Sequence, residues 1–290
     1  MDEFIQFKRS RDLGRIITDI FKFLRHNYKV LFGLIFRIAG PALILLVVAY
    51  VFYMESAMNA FDPYASDPDL SGGFVSLLGS LLVFLLAAGL YYALLYGTVL
   101  NCIKSYVNNK GVIDKTEVIS GVKENFWGLI GLSILNGLIV GAGLMVCFFP
   151  GVYLGVVVIT TYMIMVFEKR GASDSISYSF ELIKGQWWTT FATLIVVWVI
   201  YYVVLFIFQV PQYIYFFTKE FTVSETYIEG SPVEAFDWID MALSSFGVIA
   251  QYLLQTFLVL ASAFIYFNLN EKKNFTGTME TIESLGNREE

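Results

Sequence analysis

Long apolar runs alternate with short polar stretches along the whole chain. About 20 apolar residues of helix cross a bilayer core. Six runs meet or approach that length, over 31–54, 74–103, 126–149, 151–168, 187–217 and 243–269. The pattern predicts an all-α integral membrane protein, a single polytopic domain over 1–290 with six transmembrane helices. Residues 1–30 read as an amphipathic cytoplasmic segment, 31–269 as the six-span bundle and 270–290 as a cytoplasmic tail. The fourth run is short and follows the third across Phe149-Pro150-Gly151. One helix over both would be about 65 Å long, twice the hydrocarbon core. Pro followed by Gly is a strong turn signal, so a tight hairpin is expected there.

The polar stretch before each odd-numbered span has helical periodicity. In the first, Leu13, Ile16, Ile17, Ile20, Phe23 and Leu24 fall on one face, and Arg15, Thr18, Asp19, Lys22, Arg25 and His26 on the other. A 3.6-residue period with a basic polar face suits a helix lying on an anionic leaflet. The second is Asp114 to Asn125 and the third Ala172 to Lys184, with Gly185 as its stop. Each ends in a polar residue followed by aromatics: Asn27-Tyr28, Asn125-Phe126-Trp127 and Gln186-Trp187-Trp188. Aromatics at that depth match the interfacial belt. The architecture expected is three hairpins, each preceded by an amphipathic interfacial helix, although any inner loop between spans is amphipathic to some degree.

Composition agrees. Apolar residues make up 57% and charged residues 15%, against roughly 25% charged in an ordinary globular chain, and mean hydropathy is +0.65. Nearly all lysines and arginines fall in 1–30, in the second and fourth loops and in the tail, while the first and fifth loops are acidic and the short third loop is uncharged. The positive-inside rule then places both termini in the cytoplasm. A first apolar run that begins near Val30, after a charged segment, predicts an uncleaved insertion signal. The net charge of −6, with no large basic stripe, excludes nucleic acid as an obvious partner. Two cysteines and one histidine exclude a disulfide framework and an ordinary zinc site. Cys102 and Cys147 are expected at opposite membrane faces, too far apart to bridge.

Small residues let helices approach in lipid. Gly137, Gly141 and Gly143 on the third span and Gly151 and Gly155 on the fourth predict a close crossing in the outer half of one hairpin. Asn136, Gln251 and Gln255 fall at mid-depth, the two glutamines four apart and so on one face. They form a candidate polar bundle interior with Arg37, and either tie helices together or line a polar path. Arg37 lies near the inner end of the first span, shallow enough to snorkel, and Pro41 one turn on should kink that helix.

Catalytic signatures are missing. There is no Gly-x-Ser-x-Gly, no His-Glu-x-x-His and no Gly-x-x-x-x-Gly-Lys. His26 lies on the polar face of the first surface helix, and Asp62, Asp67 and Asp69 in the first outer loop fit no calcium-loop spacing. No catalytic, cofactor or metal residues are expected. No carboxylate lies deep in a span, Glu168 sitting at the inner boundary, which speaks against proton-coupled transport.

The stretch Phe149-Pro150-Gly151-Val152-Tyr153-Leu154, followed by Glu168, Ala172, Ser179, Leu182, Gly185 and Trp187, resembles the bacterial membrane-domain family found fused to some glycerophosphodiester phosphodiesterases and also found alone. The resemblance is clearest over 149–190. It implies a six-helix bacterial inner-membrane protein. The phosphodiesterase domain of the fused proteins has no counterpart in these residues, so fold and location carry over and catalysis does not. The expected function is a non-enzymatic scaffold or accessory subunit of a membrane complex. Its partners would be membrane lipids and proteins at the inner surface helices or the outer loop 218–242. The alternative is a transporter or lipid-handling protein with a polar groove.

Overall fold

A computed structural model describes residues 4–60, 70–223 and 238–286. The described residues form ten helices and no strand: α1 (Leu13–Ile38), α2 (Gly40–Ala60), α3 (Leu70–Asn108), α4 (Lys115–Val146), α5 (Phe148–Val158), α6 (Thr161–Glu168), α7 (Ala172–Ile183), α8 (Trp187–Val223), α9 (Trp238–Asn274) and α10 (Thr276–Gly286). Six helical stretches are long and apolar enough to cross a membrane: Gly40–Ala60, Gly72–Asn108, Lys115–Val146, Phe148–Glu168, Trp187–Lys219 and Trp238–Asn274. The chain is thus a multi-pass helical protein of membrane type. In the most apolar windows of Phe148–Glu168 and Trp238–Asn274, 61% and 67% of residues are buried; in the other four the share is at most 28%. Those four present Ile44, Leu86, Leu138 and Ile207 outward, as helices in contact with lipid do.

The helix boundaries differ from the sequence expectation in several places; the fourth run, for one, is made of α5 and α6. The first apolar run is broken. α1 continues through residue 30 to Ile38, and a new helix starts at Gly40. Pro41 explains this. It lacks the amide needed inside a helix but is accommodated in a first turn, where that amide has no intrahelical partner. The second polar stretch is no separate helix: Asp114 caps a single α4 that runs through Asn125-Phe126-Trp127, its carboxylate accepting from the Thr116 amide at 2.8 Å. The turn between the third and fourth runs falls at Cys147, whose backbone is extended, two residues before the expected site. Pro150 sits instead in the first turn of α5. The third polar stretch does form its own helix, α7, which Gly185 follows with a φ of +79°.

The chain divides into two compact units. The first comprises Met1–Ala42, Gly89–Val197 and Thr256–Glu290. Its core holds Phe23, Leu31, Leu95, Leu129, Ile164 and Phe264. α1 buries Ile16, Ile20 and Phe23 there and leaves Arg15, Lys22 and Arg25 exposed. α3 meets α4 where Gly97 faces Leu129 and Gly121 faces the Asn101 amide. The second unit comprises Leu43–Ala88 and Trp198–Gln255. Within it Tyr53 stacks on Phe84 at 5.6 Å, and Gln212 Nε2 donates to Ser244 Oγ at 2.7 Å.

Candidate functional site

The polar residues singled out in the spans do not share one unit. Asn136 belongs to the first, where it is buried and donates from Nδ2 to Thr161 Oγ1 at 2.8 Å. The Thr161 hydroxyl donates onward to the Val158 carbonyl at 2.7 Å, and Tyr162 donates to Ser133 Oγ at 3.1 Å. These bonds tie α4 to α6. Gln251 and Gln255 belong to the second unit. Gln255 is buried, Gln251 is half-buried, and the Gln251 backbone carbonyl accepts from the Tyr201 hydroxyl at 3.3 Å. None of the described cavities is lined by Asn136, Gln251 or Gln255. Arg37 is exposed in the last turn of α1, just before the apolar helix Gly40–Ala60.

The five glycines singled out in the third and fourth runs divide into two groups. A Cβ at Gly137, Gly141 or Gly155 would meet nothing within 4 Å. The close approach is one turn further out, at Gly143 and Gly151. A Cβ on Gly143 would lie 3.0 Å from the Gly151 Cα, and one on Gly151 would lie 2.9 Å from the Leu144 amide nitrogen. The extended Cys147 turns the chain so tightly that the residues flanking it face each other. The expected cluster of Asp62, Asp67 and Asp69, and most of the loop 218–242, lie outside the described residues.

The residues that carry the family resemblance do structural work. Gly151 permits that approach. Tyr153 stacks on Trp187 at 5.6 Å, and its carbonyl accepts from the Trp187 indole at 3.4 Å. Ser179 and Leu182 are buried on α7. Glu168 borders open space.

That space is a cavity of about 480 Å³ in the first unit, lined among others by Lys8, Lys104, Glu168, Tyr266, Asn270 and Glu283. Two terminal segments build part of its wall. Residues 4–12 form a strap held by aromatic packing. Phe7 stacks on Phe264 at 4.7 Å and meets the edges of Phe23 and Tyr106, and the Ile5 amide donates to the Tyr106 hydroxyl at 3.1 Å. Arg11 anchors the strap. Its guanidinium is fully buried, donates to the Phe7 and Gln6 carbonyls, pairs with Asp19 at 2.8 Å and lies over the Phe264 ring. Burial pulls the Arg11 pKa down, and the bond to Asp19 opposes that. A buried guanidinium is tolerated only when paired and hydrogen-bonded in this way. The Arg11 amide donates to Asn268 Oδ1 at 2.9 Å, joining the strap to α9.

The second segment is α10. Phe275, with a φ of +52°, turns the chain out of α9. The Glu271 carboxylate then caps the new helix, accepting from the Gly277 and Thr278 amides at 2.6 and 3.0 Å and from the Thr278 hydroxyl at 2.6 Å. A carboxylate at a helix N-terminus satisfies otherwise unpaired amides and suits the helix dipole. Gly277 packs so tightly on the strap that a Cβ would run into the Lys8 carbonyl oxygen. Lys8 also forms an ion pair with Glu280 of α10.

Glu168 has both oxygens engaged. Oε1 accepts from the Tyr266 hydroxyl at 2.9 Å and Oε2 from Arg170 Nε at 2.8 Å. Arg170 lies 3.9 Å over the Tyr178 ring, and Asn274 donates to the Tyr178 hydroxyl at 2.7 Å. Held this way, the carboxylate ties α6 to α9 and to Arg170. Lys104 is half-buried at the cavity and makes no ion pair or hydrogen bond among the described residues. The arrangement can receive a polar or charged group. Among the described residues no three His, Cys, Asp or Glu side chains come together to hold a metal ion. Sequence reasoning missed this site because Lys8 and Lys104 were counted only as topology charges and 270–290 was read as a plain tail. The signals available were Gly277 and the acid Glu271 six residues before it. Compared with known proteins, the chain matches no family model, no curated protein and no solved structure.

Proposed function

We propose that the chain is a non-enzymatic scaffold or accessory subunit of a bacterial inner-membrane complex, with both termini in the cytoplasm. In this reading the spans pair as three hairpins, and the polar faces of α1, of the start of α4 and of α7 lie on the inner leaflet. The charge distribution and the resemblance over 149–190 support that placement. The observation that carries the reading is the face built by the strap and α10. The two terminal segments are locked together beside a charged cavity, while the polar side chains considered as a transport path line none of the described cavities. A rigid, mixed-charge surface is what a protein partner can dock on, and charged complementarity sets register and specificity.

Purification in mild detergent tests this, comparing the native chain with Glu283→Lys, which reverses a charge on an exposed, cavity-lining residue of α10. The native chain is expected to bring down one protein in constant ratio, and the variant to lose it while eluting as the same folded species. Recovery of the native chain alone overturns the scaffold reading. Lipid handling is the second reading, favoured by Lys104 standing unpaired at the cavity wall. Reconstituted vesicles then show lipid scrambling that Lys104→Ala abolishes.

A further inference from the structure

A second cavity of the first unit, about 590 Å³, is lined by Glu181, Leu182, Lys184, Gln186, Leu269, Lys272 and Lys273. Its charges come from two helix ends 88 positions apart in sequence, Lys184 at the C-cap of α7 and Lys272 with Lys273 in the last turn of α9. Each helix end favours a cation by its dipole. The dipoles do not explain why both ends turn their lysines onto one cavity, where like charges repel. Only one of the three is neutralised: Lys273 pairs with Glu181 at 3.7 Å and lies over the Tyr178 ring. The Lys184 and Lys272 side chains are exposed and make no ion pair or hydrogen bond among the described residues. The cavity therefore carries an uncompensated positive charge beside a hydrogen-bonding amide, Gln186.

Its floor has the opposite character. Leu182 and Leu269 are buried apolar side chains. Immediately beyond Gln186 the chain enters α8 through Trp187 and Trp188, and the Trp188 indole is 75% exposed. An outward-facing indole beside a basic cavity marks the depth where headgroups meet acyl chains. Basic pockets at the inner ends of spans suit anionic lipid headgroups. We infer that the cavity at Lys184, Lys272 and Lys273 binds a phosphate-bearing anion, with Lys184 and Lys272 supplying the charge and Gln186 an amide donor. The shared chemistry is a phosphate group, held either on an anionic lipid or free in solution. The lipid source rests on the leaflet placement proposed above, and the anion site does not.

Native mass spectrometry of the full-length protein, titrated with phosphatidylglycerol, phosphatidylcholine or inorganic phosphate, tests it. The native chain should retain phosphatidylglycerol over phosphatidylcholine. Lys184→Ala/Lys272→Ala should weaken that binding about 25-fold, at about fivefold per lysine. The control Lys115→Ala/Lys123→Ala removes the same charge from α4 and should leave it unchanged. Displacement of the lipid by inorganic phosphate, with phosphate binding lost in the same double variant, would identify the free anion as the source and keep the site. Equal loss in the control, or equal retention of both lipids, would overturn it. The variants should unfold at the same temperature as the native chain, since neither lysine of the site is buried. Placement of this face is read separately by impermeant labelling, so a misplaced face and an absent site give different results.

Discussion

Arg11 shows how far a residue's role can lie from its sequence appearance. Among many basic residues near the amino terminus it counts as one more inward-directing charge. In the structure it is buried against Asp19, two backbone carbonyls and an aromatic ring. Nothing local to residues 4–12 announces this, because the Phe264 ring and Asn268 that receive it come from the far end of the chain. The glycines show the same limit. Spacing alone places Gly137, Gly141 and Gly155 beside Gly143 and Gly151 as equal candidates, and only the turn at Cys147 decides which of them face another backbone. Gly151→Ala should therefore destabilise the protein by about 1–3 kcal/mol, since its Cβ would press on the Leu144 backbone and side chain. Gly137→Ala, Gly141→Ala and Gly155→Ala should be neutral or slightly stabilising, as alanine is the better helix former. Thermal unfolding in detergent separates the two groups. Equal losses at all four positions would contradict the packing.

At the scale of elements, the spans were legible because a run of about 20 apolar residues has few other uses. Six were expected and six helices of suitable length and composition are present. Their ends were less legible. Pro41 was read as a kink, yet it begins a new helix, because a missing amide is equally well absorbed by a first turn. α10 was not foreseen at all. Its eleven residues are too few to hold a helix alone, so it depends on the Glu271 cap and on Gly277 fitting against the strap. Gly277→Ala should release α10 from that seat while the spans stay folded. Hydrogen exchange should then accelerate at amides 277–286 and at strap residues 5–11, with the amides of α9 before Asn268 unchanged. Unaltered exchange at 277–286 would show that this contact does not hold the helix.

For the whole molecule, topology makes the sharpest claim. Both cysteines are free, Cys102 buried and Cys147 exposed at the turn between α4 and α5. If that turn is on the outer side, a membrane-impermeant maleimide applied to intact cells should modify Cys147, and should modify a second cysteine in a Glu229→Cys variant. A Glu283→Cys variant should gain no label until the membrane is opened. Labelling at position 283 in sealed cells, without labelling at 229, would reverse the orientation. The sign of the loop charges is what points to this orientation, since it depends on composition alone. The candidate site was not legible, because it is assembled from four distant parts of the chain.

The strap closes on partners that are synthesised much later than itself. Phe7 and Arg11 leave the ribosome some 250 residues ahead of Phe264 and Asn268, whose ring and amide receive them. Until α9 is in place, residues 4–12 lack the ring and the amide that α9 supplies, and their apolar side chains stay available to lipid or to chaperones. A polypeptide truncated before α9 would keep the other apolar helices and still leave residues 4–12 without these partners, so the seating of the strap reports that α9 is in place.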